Sequence, residues 1–362
     1  FFFIIFEALI YVLMNGLQAS PGFAPLLIFQ LILGGLAIFY MDEVTQKWGF
    51  GSGVSMFIAA GVSWRLMTSA FQFINQQGVN CLLDFKETAC AGKVLVIIQS
   101  LINKYPIEFL SAFATIIATV VIFMIVVWVQ SMKVEIPLSF GRIRGYTMKW
   151  PLSFFYASVI PVILTAALVA NIQLFGGMME NAAASCVAGA CTGIAQFASW
   201  FGWLGSFVNG QPVSGLAFWI GSTNILELVI RGGFLPVFLL QGLTHVLFFV
   251  FLSTLFAVFW VKTSGMDAKS QAHKISADGL QIAGFRQDER VLESILDRYI
   301  MPLTVMGGIA IGLLAAVTDL LGALVSGTAI LLVIMIMFQF YQNIARQHQM
   351  DMNPSVRKFF GS

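Results

Sequence analysis

Charge is what this sequence has least of. Only 10% of its 362 residues are Asp, Glu, Lys or Arg, against roughly a quarter in a soluble domain, so the composition argues against a water-soluble fold. Histidine is nearly missing as well: His245, His273 and His348 stand far apart on different segments. No His pair, zinc-type Cys spacing or nucleophile motif is visible, so an enzyme is not expected, and neither is a metal or other cofactor. Gly51-Ser52-Gly53 lacks the Lys and the spacing of a phosphate loop, and reads as a tight entry into a helix. The net charge of +2 carries no bulk field toward nucleic acid.

What is present is apolar surface. Hydrophobic residues make up 59% of the chain and 35 of them are Phe. The apolar runs are long and continuous, as helices about 20 residues long across a bilayer require, whereas a transmembrane barrel would need short alternating segments. Eight spans are expected, near 1–16, 24–41, 54–72, 107–131, 154–176, 236–261, 301–322 and 327–345. The chain opens without Met inside the run Phe-Phe-Phe-Ile-Ile-Phe. A natural span carries a polar flank, so residues upstream are expected.

The loops divide unevenly in charge. With eight spans, the even-numbered loops and the tail carry 14 of the 19 Lys and Arg, among them Lys133, Arg142, Arg144, Lys149, Arg286 and Arg290. The other side keeps Arg65, Lys86, Lys93, Lys104 and Arg231. Cytoplasmic loops collect Lys and Arg, which puts the even loops and the C-terminus in the cytoplasm. The mildly apolar stretch 197–232 complicates this, because 214–230 could span by itself and reverse the early loops. Charge barely separates the two arrangements. Cysteine favours eight spans: Cys81 and Cys90 share one odd loop, Cys186 and Cys191 the next, and both pairs then face the oxidising side. Two local bridges are plausible, with four free thiols as the alternative. The 197–232 stretch is then an outer-face, re-entrant segment.

Two polar stretches stand out in the even loops. One is 133–150; the other, 262–300, ends in an amphipathic run with Leu292, Ile295 and Tyr299 on one face. They suggest a cytoplasmic docking partner, though on composition alone topogenic charge is the favoured explanation. Within the spans lie Glu7 and Asn171, with Asp319 near the end of the seventh. Charged groups there are costly and face an interior or an aqueous path. Glu7 is either a cation site or one member of a hydrogen-bonded cluster between helices; no acidic or His chain runs through the spans to support a proton relay. Val54 and Ile58, four apart, share a helical face, and Ala59, Ala60 and Gly61 permit close helix approach.

Several stretches together resemble the SecY family. They are Met41-Asp-Glu-Val-Thr-Gln-Lys-Trp-Gly-Phe-Gly-Ser-Gly-Val-Ser-Met-Phe-Ile-Ala-Ala-Gly61, Glu135-Ile-Pro-Leu followed by Gly141-Arg-Ile-Arg-Gly145, Ile160-Pro-Val-Ile-Leu followed by Ala170-Asn-Ile-Gln173, Ser264-Gly-Met-Asp-Ala-Lys-Ser270, Gly284-Phe-Arg286 and Gly322-Ala-Leu-Val-Ser-Gly-Thr328. They occur in family order over nearly the whole chain, and the Glu-Ile-Pro-Leu and Gly-Met-Asp-Ala-Lys-Ser forms look archaeal or eukaryotic rather than bacterial. The resemblance implies an all-α polytopic channel of ten helices in two pseudo-symmetric halves, of which eight are present. The first two spans and the plug between them would be absent, and with them one jaw of the lateral gate. The divisions implied are 1–106 for the rest of the N-terminal half, 107–346 for the C-terminal half with loops 132–150 and 262–300, and 347–362 for a cytoplasmic tail.

Residue by residue, the resemblance makes Val54, Ile58, Ile163 and Leu332 members of an apolar pore ring, with Val54 a small departure from the usual Ile. Glu7 and Asn171 match a polar lateral-gate cluster. Arg142, Arg144 and Arg286 match positions where the family docks the ribosome. The implied partners are a SecE-type subunit, a small β subunit, the ribosome with its RNA, signal sequences and nascent chains, and membrane lipid; the implied place is the cell membrane. The rival readings are a secondary transporter with Glu7 at a midplane site and an intramembrane enzyme, for which no catalytic pair is visible.

Overall fold

A computed structural model of the chain describes residues 1–13, 22–48, 53–75, 79–81, 90–140, 147–157, 159–184, 200–208, 211–233, 235–277, 279–282 and 288–352. Twelve α-helices are described: α1 (Phe2–Leu13), α2 (Ala24–Trp48), α3 (Gly53–Phe71), α4 (Lys93–Asn103), α5 (Pro106–Ser131), α6 (Ile160–Ala184), α7 (Gly215–Ile220), α8 (Ile225–Ile230), α9 (Pro236–Thr263), α10 (Ala268–Ala277), α11 (Glu289–Leu320) and α12 (Gly327–Met352). Five strands join them: β1 (Lys133–Phe140), β2 (Thr147–Ser153), β3 (Phe207–Val208), β4 (Gln211–Pro212) and β5 (Leu280–Ile282). Seven helices, α2, α3, α5, α6, α9, α11 and α12, are long and apolar enough to cross a membrane. The expected first span is described only over the 12 residues of α1, short of that length.

The chain forms two compact units. The first comprises Phe1–Arg65, Ala170–Phe218 and Val333–Ser362. In it α1 packs on α2, with Ile4 lying where a Cβ on Gly35 would have to go. The first residue of α3 lies close against α2: a Cβ on Gly53 would meet the Thr45 hydroxyl and the Asp42 backbone. Asp42 holds the start of α3 by accepting a hydrogen bond from the Val54 amide at 2.9 Å. This satisfies one of the amides that a helix N-terminus leaves unpaired.

The second unit comprises Leu66–Val169 and Trp219–Leu332. Its spine is the pair α9 and α11. Gly308 and Gly312, one turn apart, let the backbones approach: added Cβ atoms would lie 3.0 Å from Thr254 Cα and 3.0 Å from Val250 Cα. The Ser253 hydroxyl donates to the Gly308 carbonyl at 3.0 Å across the seam. Proline at the first turns of α5 and α9 starts both helices where no amide partner is needed.

Where the chain leaves its long helices, the second unit builds two very different things. Strand β1 pairs antiparallel with β2, from Lys133↔Ser153 to Ser139↔Thr147, and also with β5, from Leu138↔Ile282 to Phe140↔Leu280. The sheet shares a core with α10 and α11, formed by Ile136, Leu152, Tyr156, Ala157, Val261, Ala272, Leu292 and Leu296 among others. Tyr156 and Ala157, expected inside a span, belong to this core with Phe154 packed against it, and α6 begins only at Ile160. The amphipathic run from Arg290 is continuous with the next span in one 32-residue helix, α11, despite Pro302. Its buried stripe is Leu292, Leu296, Ile300 and Leu303, while Tyr299 is exposed. The stripe follows the side on which α10 packs rather than the face expected from Leu292, Ile295 and Tyr299.

The other construction is the stretch expected to be re-entrant. Residues 214–230 do not form one helix but two of six residues, α7 and α8. The break is held by one face of α9. Thr244 donates to the Trp219 carbonyl at 3.0 Å, His245 Nδ1 donates to the Ile220 carbonyl at 2.7 Å, and Gln241 Nε2 donates to the Gly221 carbonyl at 3.4 Å. These are carbonyls that the end of α7 leaves unpaired, and residues three and four apart on α9 lie on the side that meets them. With no helix of spanning length in 214–230, the nine-span alternative loses its extra span.

Candidate functional site

Two of the expected ring residues, Val54 and Ile58, lie one turn apart on α3 and are both exposed. The opposite face of α3 carries Met56, Ala59, Ala60 and Ser63, which with Met337, Phe340 and Ile344 of α12 line an apolar cavity of about 590 Å³. α3 thus turns Val54 and Ile58 away from that packing face. Asp42, through its bond to the Val54 amide, sets where the helix begins and so where Val54 sits. It was not among the residues singled out from sequence; the acidic residue 12 positions upstream was its only signal.

Ile163 and Leu332 belong to the second unit. Ile163 lies one turn into α6 and is exposed, next to fully buried Val162. The Thr165 hydroxyl donates back to the Pro161 carbonyl at 3.0 Å and ties down the same turn. Leu332 is buried near the start of α12. That start is held by Asp319, whose Oδ1 accepts from the Gly327 amide at 2.7 Å. The carboxylate suspected from sequence as an intramembrane charge is therefore a structural acceptor, with its Oδ2 3.8 Å from His245 Nε2.

Glu7 and Asn171 are both exposed, on α1 and α6 of the first unit, and no hydrogen bond joins them among the described residues. Glu7 borders a groove of about 300 Å³ with Ile4, Ala8, Tyr11, Leu31 and Gly35.

Cys81 and Cys90 form a disulfide with Cα atoms 5.4 Å apart. Close by, the Cys81 amide donates to the Phe73 carbonyl and the Gly92 amide to the Gln72 carbonyl, both at 2.9 Å. Closing a loop of this length stabilises a fold by roughly 3 kcal/mol. Cys186 and Cys191 lie outside the described residues.

Arg142, Arg144 and Arg286 also lie outside the described residues. In sequence, 141–146 fall between β1 and β2, and 283–287 follow β5. The sheet's own surface has a cation, Lys149, paired with Glu135 at 2.7 Å; that bond and charge raise the Lys149 pKa above the ordinary lysine value. Beneath it, the Tyr156 hydroxyl donates to the Met266 carbonyl at 2.6 Å. Burial, aided by the Asp267 carboxylate, pushes the Tyr156 phenol up to about 12. Among the described residues no cluster of His, Cys, Asp and Glu could hold a metal ion.

The SecY family model matches residues 1–341. The protein translocase subunit SecY of Methanothermobacter thermautotrophicus is 38% identical over 99% of this chain and 73% of its own length. Among solved structures, a protein-conducting channel superposes with a TM-score of 0.75 at 32% identity, covering 99% of this chain and 73% of the channel. Sec61 in a canine ribosome–channel complex from the endoplasmic reticulum superposes with a TM-score of 0.71, again at 32% identity, covering 99% of this chain and 73% of Sec61. On the family match and a relative of this identity and coverage, this multi-pass membrane chain belongs to the SecY family.

Proposed function

We propose that the chain is the pore subunit of an archaeal-type protein-conducting channel, which passes unfolded polypeptide across the membrane and releases hydrophobic segments sideways into lipid. The observation that carries this reading is the chain-long likeness to a translocase subunit and to a solved protein-conducting channel. Val54, Ile58, Ile163 and Leu332 contribute branched apolar side chains to the constriction. Such a ring is poorly wetted and bars ions by dewetting, and its contacts with a passing chain are non-directional. Glu7 and Asn171 belong to the lateral gate, where polar contacts worth roughly 1 kcal/mol or less each hold a seam that an apolar signal helix can part.

Arg142, Arg144 and Arg286 dock the ribosome, since guanidinium pairs bidentately with RNA phosphate. The Sec61 relative in a ribosome–channel complex supports this partner. The remaining partners are a SecE-type subunit, a small β subunit and signal sequences. The chain sits in the cell membrane with its C-terminus in the cytoplasm, and no step in this function calls for catalysis.

The test is co-sedimentation of the full-length gene product with ribosomes over a salt series, together with ion conductance in planar bilayers. Salt-sensitive binding that Arg286→Glu weakens, and a leak that Ile58→Gly raises, are the expected results. Absence of binding at low salt by a folded complex would sink the docking role. A parental conductance in Ile58→Gly would remove that residue from the ring.

A further inference from the structure

One buried side chain of the second unit faces a group that it cannot bond as a neutral ring. His245 is 2% exposed, and its ring packs on Phe249 with centroids 4.6 Å apart. Its Nδ1 lies 2.7 Å from the Ile220 carbonyl. A carbonyl oxygen only accepts, so Nδ1 carries a proton. In a neutral imidazole the other nitrogen is then a bare lone pair. That nitrogen, Nε2, is buried and has no hydrogen-bond partner among the described residues. Facing it is Asp319 Oδ2, 3.8 Å away, while Oδ1 of the same carboxylate accepts from the Gly327 amide at 2.7 Å. Two acceptors thus confront each other in a buried place, where a polar group left unpaired costs about 1–3 kcal/mol and a charged one more. The other charged side chains on the neighbouring elements are engaged elsewhere. Glu227 of α8 pairs with Arg231 at 3.0 Å, and Arg231 with Glu108 of α5 at 3.4 Å. α7 carries no charged residue, and the first three turns of α12 carry none. Along α9 and α11 themselves the next charges are Lys262 and Arg298, 17 and 21 positions away.

We propose that His245 and Asp319 form a proton-binding site inside the second unit. At neutral pH the pair holds one proton on Nε2, and the resulting imidazolium links the end of α7 to the turn between α11 and α12. The proton, taken from water, removes the conflict, because an imidazolium donates from both nitrogens. A carboxylic acid gives up its proton more readily than an imidazolium does, so the ring is its seat. The 3.8 Å contact is then an ion pair rather than a clash of lone pairs. The links run in one chain from the Ile220 carbonyl through His245 and Asp319 to the Gly327 amide. A charged donor also makes the bond to Ile220 roughly twice as strong as a neutral one. One charge therefore holds both the broken segment and the α11–α12 turn, and its loss is felt at α7 even when the change is made on α11. None of this depends on the pore, gate or docking roles proposed above.

The experiment is nitrogen NMR of isotope-labelled histidine in the full-length complex at neutral pH, with the His245 signals assigned by their absence from His245→Gln. Two protonated ring nitrogens are expected in the parent. In Asp319→Asn only Nδ1 should remain protonated, because the carboxamide keeps an oxygen for the Gly327 amide and offers Nε2 an N–H in place of a charge. Hydrogen exchange gives a second readout that needs no assigned ring signal. The 219–224 amides should exchange about 2- to 10-fold faster in Asp319→Asn, as one charge-assisted bond falls to a neutral one. A parent ring with a single protonated nitrogen would overturn the proposal and leave a buried water as the donor between the two acceptors. An imidazolium that persists in Asp319→Asn would overturn it too, since the proton would then not be held by the pair. So would exchange at 219–224 that is unchanged or slower in Asp319→Asn, because the new amide would relieve a neutral ring rather than discharge an imidazolium.

Discussion

Two regions of the second unit leave the long-helix pattern, and they are held by opposite means. The sheet region, 133–157 with 264–303, has an apolar core of its own; Ile136, Leu152, Leu292 and Leu296 are all buried in it. The broken segment, 219–231, is fastened by polar side chains of α9 that satisfy its free carbonyls. Burial is non-directional and tolerates many sequences, whereas a hydrogen bond to a buried carbonyl requires one donor in one place. A polar excursion can therefore fold as a small domain where it has apolar residues to bury. The apolar segment instead has its backbone partners supplied by a neighbouring helix, because a buried backbone group left unpaired is costly.

The contrast breaks most visibly if the core of the sheet region is emptied. Leu296 is fully buried, and Leu296→Ala is expected to cost about 2–5 kcal/mol, measured as a lowered melting temperature in detergent. A change within experimental error would mean that the sheet region has no core that matters. The broken segment should respond less in global stability and more locally. His245→Ala leaves the Ile220 carbonyl without its 2.7 Å partner, a loss of about 1–3 kcal/mol. Hydrogen exchange of the 219–224 amides should then speed by about tenfold or more while exchange in β1 stays as it was. Equal acceleration in both regions would deny that they are independently held.

The smallest effect is one of pH. The Tyr156 phenol titrates near 12 in the folded chain against 10.0 for an ordinary tyrosine. Its folded value is raised, so its contribution to stability is complete below pH 10 and is lost as pH rises from about 10 through 12. Tyr156→Phe should flatten that part of the stability profile measured against the parent. An identical slope in both proteins would show that other groups produce it.

Much of the architecture was legible from composition and periodicity, because a bilayer admits few solutions: long apolar runs must become helices that satisfy their own backbone. Seven of the eight expected spans appear as helices of sufficient length and apolarity. Pairing of Cys81 with Cys90 could be anticipated as well, since they stand nine positions apart within one loop. Other features were not legible. The amphipathic run 290–300 reads with Leu292, Ile295 and Tyr299 on one face; its union with the next span in one helix, and the exposure of Tyr299, come only from the packing of α10 on it. Asp319 looked like an intramembrane charge in search of a function, and its role as acceptor for the Gly327 amide depends on a turn eight residues away.

The sequence by itself determined that this is a helical membrane protein, where most of its spans run, which of its loops are polar, and its kinship with the SecY family. Each of these rests on local periodicity or on short motifs, which need no knowledge of what lies across the fold. Only the tertiary structure decided that 214–230 breaks into two short helices, that Asp42 anchors the helix bearing Val54 and Ile58, and that Tyr156 ties together two polar excursions. Those facts depend on hydrogen bonds between residues 12 to 110 positions apart, and the identity of such a partner is written nowhere in the local pattern of either residue.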